Sequence, residues 1–160
     1  MKKEIAFFRQ AIQVMDQYAG TLSGVAQRVS NPAPLPDLLQ QQLVHPTTGS
    51  VPPDTAEVLR GAATRVLQIS RNVQAFLAQA NVVMALVEID TAANGIDRLL
   101  DEKLMLRAPG TPMLPMMSEV MAPVRADEAV LFPTTLEGPL RTPEIEAFER
   151  HLKSVENPWS

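Results

Sequence analysis

The chain has 160 residues, of which 46% are hydrophobic but only 4% are aromatic, and it contains no cysteine. An aliphatic composition favours packed helices over a β-sandwich, and the absence of thiols excludes disulfides, thiolate catalysis and cysteine-ligated metals. The net charge is −4 and the Lys and Arg residues are scattered, so we expect neither nucleic-acid binding nor a polybasic membrane surface.

The first predicted element is a long amphipathic helix over about residues 3–29, in which apolar residues recur at spacings of three and four. The repeat is typical of a coiled-coil seam and consists of Ile5, Phe8, Ile12, Met15, Ala19, Leu22, Ala26 and Val29. A proline-rich connector follows over 31–53, and Asp37 can cap a short helix within it at about 37–44. This connector allows the first helix to pack antiparallel to the next one.

A second seam predicts a helical stretch over 54–106, and its members are Leu59, Ala62, Val66, Ile69, Val73, Phe76, Ala80, Val83 and Val87. The same spacing of three and four residues leads to polar residues beyond Val87, whereas a new line of apolar residues starts at Ile89. Either one helix changes its packing partner near residue 88, or two helices meet at Asn94-Gly95. We favour a kink or break at 94–95, because an unbroken helix would be about 80 Å long, too long for a compact domain of this size.

The next stretch, from 107 to 140, contains six prolines, which we expect to divide it into short pieces. Four methionines lie close together within this stretch: Met113, Met116, Met117 and Met121. Flexible thioether side chains adapt to variable partners, so these residues are candidates for a partner-binding surface. Alternatively, they cover the exposed end of the helical core.

The last predicted element is a helix over 143–156, which Thr142 can cap and which has a proline at its first position. Phe148 and Leu152 lie on its apolar stripe, and Trp159 follows it. A helix this short is marginal alone, so it docks either on its own core or on another subunit. Trp159 likewise either anchors a partner or packs back on the domain. We include Phe148, Leu152 and Trp159 among the predicted partner-binding residues.

The sequence contains no strong catalytic pattern. His45 and His151 have no partner at metal-ligand spacing, and neither a Gly-x-Ser-x-Gly motif nor a phosphate-binding glycine loop is present. The best candidate site is an acidic line formed by Asp90, Asn94, Asp97 and Asp101. Such oxygen-rich faces can hold divalent cations, but Arg98 and Lys103 partly neutralise this one. We therefore predict a solvated face or a docking surface for a basic partner, with no catalytic residue, metal or cofactor.

These observations predict an all-α fold, either an elongated helical bundle or a coiled-coil-like helical hairpin with proline-rich connectors. Residues 1–106 form the predicted core, and 107–160 form a Pro- and Met-rich arm that carries the short C-terminal helix. Neither a signal peptide nor a membrane-spanning run is evident, so we expect no membrane insertion. The expected location is the cytoplasm, or the protein leaves the cytoplasm without an N-terminal signal.

For function, we expect a non-enzymatic structural or adaptor component of a multiprotein assembly. Its expected partners are other proteins or copies of itself, bound through the heptad seams. The alternative is a small acidic helical chaperone or escort for a secreted or assembly-bound protein. A carboxylate-based metalloenzyme that uses Asp90, Asp97 and Asp101 is the least favoured possibility.

Overall fold

The computed structural model describes residues 1–31, 36, 39–40, 43–44, 49, 51–104, 114–133, 141–156 and 159. These residues contain helices and no strand, which confirms the all-α prediction. The five helices whose bounds lie within them are α1 (Lys2–Ser30), α2 (Thr55–Ala78), α3 (Val82–Leu104), α4 (Met117–Leu131) and α5 (Pro143–Ser154).

Helices α1 to α4 form an up-down-up-down bundle, in which α1 and α3 each pack against both α2 and α4. The direction of α2 relative to α1 follows from Arg60, near the start of α2, which donates a 2.9 Å hydrogen bond to Ser30 at the end of α1. Similarly, α4 runs antiparallel to α1, because Phe132, just beyond the end of α4, contacts Phe7 near the start of α1. Helix α5 packs against the start of α3.

The bounds predicted for the first helix are confirmed to within one residue at each end. Its buried face is wider than the predicted seam, because four residues outside that seam are also buried: Phe7, Ala11, Tyr18 and Val25. A narrow seam can pack against one neighbouring helix, whereas this broader buried face packs against the two helices that flank α1. The coiled-coil character of the hairpin therefore stays a prediction.

The predicted break at 94–95 is wrong, since α3 continues through both residues and the helices separate at 79–81 instead. Ala80 has a φ of 54°, in the left-handed region that usually favours glycine, and Asn81 N–H donates to Phe76 C=O over 2.8 Å. The Asn81 side chain also accepts a 3.2 Å hydrogen bond from Met84 N–H at the start of α3. Asn81 therefore closes one helix and caps the next, without the glycine that normally marks such a turn.

The expectation that prolines divide the stretch from 107 to 140 into short pieces is wrong for α4. This helix contains Pro123 on its exposed side. Proline has no backbone N–H group, so one backbone carbonyl lacks its helical donor, and water can donate a hydrogen bond to it there. The opposite side is buried at helical spacing, at Met117, Met121, Val124 and Glu128. Residues of α4 and α5 join the apolar core formed by α1, α2 and α3, so that core is continuous across the predicted boundary between 106 and 107.

The short helix predicted at 37–44 is described only in part. Val44 N–H donates to Gln40 C=O over 2.9 Å, and Leu39 and Leu43 are fully buried. The other predicted positions, including Asp37, lie outside the described residues. The last helix is confirmed from Pro143 to Ser154, with Thr142 Oγ1 accepting a 3.2 Å hydrogen bond from Ile145 N–H as the predicted cap.

Two valines of the second predicted seam provide a matched test of this packing. Val73 is fully buried, whereas Val87 lies beyond the turn at 79–81 and is 36% exposed. We expect Val73→Ala to lower the free energy of unfolding by about 1.5–3 kcal/mol, because it removes two buried methyl groups and leaves a cavity. We expect Val87→Ala to change it by less than about 0.5 kcal/mol. Chemical denaturation of both variants measures the difference. Equal effects would mean that both valines face the core as one continuous seam, which contradicts the turn at 79–81.

Candidate functional site

Two of the four predicted partner-binding methionines lie in the bundle core. Met117 and Met121 are fully buried, Met116 is partly exposed, and Met113 lies outside the described residues. Met117 and Met121 thus lie within the core, whereas the alternative had all four methionines covering its exposed end. A role in partner binding stays a prediction for all four.

The predicted partner-binding residues near the C-terminus pack on their own chain. Phe148 is fully buried and stacks on Phe8 with a ring-centre distance of 5.9 Å, while Leu152 is 8% exposed. Trp159 is partly buried and contacts the same Phe8 ring edge-on, also at 5.9 Å. These three side chains thus present little free surface, and their contact with a partner stays a prediction.

The acidic line on α3 faces α4 with two of its four members. Asp97 accepts hydrogen bonds from the N–H groups of Met117 (2.6 Å) and Ser118 (2.9 Å), the first two residues of α4. A carboxylate at this position satisfies amides that have no partner within the helix and complements the positive end of the helix dipole. Asn94 and Asp101 are exposed. The prediction of a solvated face is therefore wrong for Asp97 and correct for the other two.

Asp90, the fourth member of the line, forms an ion pair with Arg125 of α4. One acidic residue of this face is thus paired within the chain, and docking of a separate basic partner stays a prediction. No group of three or more His, Asp or Glu side chains in the described part of the chain is arranged to hold a metal ion. His151 is partly exposed on α5, and His45 lies outside that part.

A second helix start is held by a carboxylate in the same way. Glu149 of α5 is 6% exposed and accepts a 3.0 Å hydrogen bond from Val82 N–H, the first amide of α3. Its other oxygen pairs with Arg141, which offsets the loss of hydration around the buried charge. Carboxylates therefore dock α5 on α3 and α3 on α4, and neither contact is visible from local sequence patterns.

The most perturbed carboxyl group is that of Glu128 on α4. Burial and then the negative charge of Asp90 raise the pKa of Glu128 from 4.5 to about 7, although Arg125 opposes the shift from 3.9 Å. Burial likewise raises the pKa of Asp90, against the opposing effect of Arg125. The Oε1 atom of Glu128 is buried and has no hydrogen-bond partner in the described part of the chain.

A raised carboxyl pKa can mark an acid–base catalyst when the group lies in a cleft that admits a substrate. One groove that includes Asp90 is lined entirely by residues of α3: Val87, Asp90, Thr91, Asn94, Gly95 and Arg98. A molecule there would contact one helix face and have no second wall to enclose it. This groove therefore gives the carboxyl pair no enclosed space among the residues that line it.

A concave surface with walls from two helices lies between the first half of α1 and the end of α4, and we call it the α1–α4 groove. It has a volume of about 390 Å³ and is lined on the α1 side by Lys3, Ala6, Phe7 and Gln10. Its α4 side consists of Asp127, Val130 and Leu131. Val130 is 78% exposed, because it lies off the buried stripe of α4. Phe7 is buried and supplies the apolar floor.

A second hollow of about 580 Å³ follows one face of α1, shares Ala6 and Gln10 with the α1–α4 groove and, like the groove beside Asp90, has no second wall. It adds Lys2, Ile5, Arg9 and Gln13 to the surface. Sequence reasoning missed both hollows, since Ala6 and Gln10 are outside the predicted seam. The signal in the sequence that could have indicated the α1–α4 groove is Val130, an apolar residue that lies off the buried stripe of α4.

Comparison of the chain with protein-family models, with curated proteins and with solved structures finds no match. None of the helices that the structure describes combines the length and the apolar character needed to cross a bilayer. Functional inference therefore depends on the geometry of the chain itself.

The buried carboxyl of Glu128 predicts a specific pH dependence of stability. Its pKa is higher in the folded chain than its ordinary value of 4.5, so its contribution to stability is complete below pH 4.5 and is lost as the pH rises to about 7. Glu128→Gln keeps a neutral side chain of the same shape. We expect this variant to be about 1–3 kcal/mol more stable than the wild type at pH 7.5 and to lose most of that advantage at pH 4.5.

The matched control is Asp127→Asn, which neutralises the exposed neighbouring carboxylate on the same helix. Urea denaturation at a series of pH values measures all three proteins. The Asp127 variant should follow the wild-type pH profile closely. A Glu128→Gln profile parallel to that of the wild type would show that the Glu128 carboxyl titrates normally.

Proposed function

We propose that this protein is a non-enzymatic structural or adaptor component of a multiprotein assembly and that it contacts a partner through the α1–α4 groove. The observation that carries the proposal is the position of Val130, which is 78% exposed at the edge of a groove floored by Phe7. A single exposed valine is ordinary on a protein surface. An exposed valine beside a concave apolar surface can bind an apolar side chain of another protein.

The use of the acidic residues supports a structural role. Asp97 and Glu149 bind the first amides of other helices, and Asp90 pairs with Arg125 across the α3–α4 interface. Each of these carboxylates is committed to holding helices together, which leaves it poorly placed for acid–base chemistry on a substrate. We accordingly propose no catalytic residue, metal or cofactor.

The partners in this proposal are other proteins or copies of the chain, and the proposed location is the cytoplasm. The apolar seams that were expected to pair between chains are largely buried within a single chain, since Leu22 of α1 and Val66 of α2 are fully buried. The α1–α4 groove therefore takes the place of the seams as the proposed contact surface. Residues 107–113 and 134–140 of the predicted arm lie outside the described residues.

The second candidate function is that of a small acidic escort for a secreted or assembly-bound protein. The observation in its favour is the combination of a net charge of −4 with an accessible groove beside a helix. A structural component stays bound to its partner, whereas an escort releases it. A pulse–chase measurement of the lifetime of the complex distinguishes the two candidates.

The proposal predicts that Val130→Glu separates the chain from its assembly. In an extract of cells that produce the protein, the wild type should migrate well above its own mass of 17.5 kDa, and Val130→Glu should shift to that mass. A charged side chain at this position prevents an apolar contact but leaves the core untouched, since the site is exposed. Size-exclusion chromatography followed by immunodetection measures the shift.

The matched control is Val155→Glu, at a valine that is 42% exposed and does not line the groove. This variant should migrate with the wild type. Two results would contradict the proposal: a wild-type protein that migrates at its own mass, or a large complex that survives Val130→Glu unchanged.

A further inference from the structure

We infer that the surface around the α1–α4 groove binds the same surface of a second copy of the chain, in a twofold-symmetric dimer that places α1 of each copy against α4 of the other. The inference rests on the proposed function and specifies the partner. Two observations carry it. The outer face of α4 is apolar, and the groove has one charged residue of each sign, on opposite walls.

The outer face of α4 lacks the polar side chains that normally cover a surface helix. Of the exposed residues between 122 and 130, Asp127 is the only one with a polar side chain. The others are Ala122, Pro123, Ala126, Ala129 and Val130. The opposite face of α4 is already buried in the bundle, so α4 is apolar on both sides. An exposed apolar face of this kind is typical of a contact with another protein.

The charges of the α1–α4 groove are arranged for pairing with a second copy. Lys3 lies on the α1 wall and Asp127 lies on the α4 wall, and both side chains are exposed. Neither forms an ion pair with another described residue. A twofold axis that runs along the groove brings each wall opposite the other wall of the second copy. Lys3 of each copy then faces Asp127 of the other, and the dimer contains two pairs of opposite charge.

The neutrality of the groove favours a second copy over a strongly charged partner. A twofold contact places one patch against itself, so a patch with a net charge would repel its own copy. The lining residues of the groove include one lysine, one aspartate and no other charged residue. The net charge of −4 on each chain opposes association, but charges that lie beyond about 8 Å from one another are largely screened at physiological ionic strength.

The helices that meet in this dimer can approach each other closely. Helix α1 runs antiparallel to α4 within the chain, as the contact between Phe7 and Phe132 shows, and a twofold axis along the groove keeps that direction for α1 of the second copy. Ala6 is exposed on the α1 wall, and a small residue at a helix contact lets the two axes come near. Val130, which is 78% exposed in the single chain, becomes covered in the dimer.

The first test is the molar mass of the purified full-length chain, measured by light scattering at concentrations from about 1 to 500 μM. We expect the wild type to approach twice its chain mass of 17.5 kDa at the upper end of this range. Val130→Glu should keep the chain mass throughout, because it places two charges in an apolar contact. The control Val155→Glu, outside the groove, should dimerise as the wild type does.

Charge reversal tests the twofold geometry itself. In the dimer, Lys3→Glu alone creates two pairs of negative charges and Asp127→Lys alone creates two pairs of positive charges. Each variant should therefore dimerise at least about tenfold more weakly than the wild type. An equimolar mixture of these two variants should regain the affinity of the wild type, because both pairs in the mixed dimer are again of opposite charge. Circular dichroism and the emission of Trp159 show that each variant is folded.

The outcomes separate this inference from the proposed function. A dimer that survives Val130→Glu, or a mixture of the charge variants that associates no better than its parts, overturns the inference. If the pure wild type stays monomeric while the complex in cell extracts depends on Val130, the groove binds a different protein: the inference fails and the proposed function stands. If neither the pure chain nor the extract shows association that depends on Val130, both fail.

Discussion

The architecture depends on carboxylates that satisfy the first amides of helices to which they do not belong. Helix α4 has only 15 residues and contains Pro123, so it has little stability of its own. Asp97 holds the start of α4, while the Tyr18 hydroxyl donates a 2.8 Å hydrogen bond to the Pro115 carbonyl just before it. Glu149 serves the start of α3 in the same way. These contacts turn a marginal helix into one wall of the bundle.

The position of α4 in turn creates the only surface to which we assign a function. Because α4 ends at Leu131, its last turn lies beside the first turns of α1 and leaves Val130 exposed above Phe7. The buried Glu128 one turn earlier opposes this placement near neutral pH, since its burial raises the pKa of its carboxyl group. The groove and the docking contacts are thus parts of one arrangement, and in the proposed function the acidic residues act by positioning one wall of the groove.

The sequence predicted the elements whose signals are local. Helix α1 follows from its seam, and α5 follows from Thr142 and the proline after it. The turn at 79–81 was missed because Ala80 adopts a backbone conformation that the sequence would mark only with glycine. The role of Asp97 was missed for a different reason, as its partners are the backbone amides of a helix that begins 20 residues later. The groove joins Lys3 to Val130, and such a juxtaposition exists only after folding.

The most direct test of the central claim is hydrogen exchange at the amides of Met117 and Ser118, measured by NMR. First-turn amides of a helix have no partner within the helix and ordinarily exchange quickly. If Asp97 holds them, they should exchange at least about tenfold more slowly in the wild type than in Asp97→Ala, since a hydrogen bond to a charged group contributes about 1.5–3 kcal/mol. Asp101→Ala, one turn further along the same helix and exposed, should leave both rates unchanged. Rapid exchange in the wild type, or equal rates in the three proteins, would contradict the docking of α4 by Asp97.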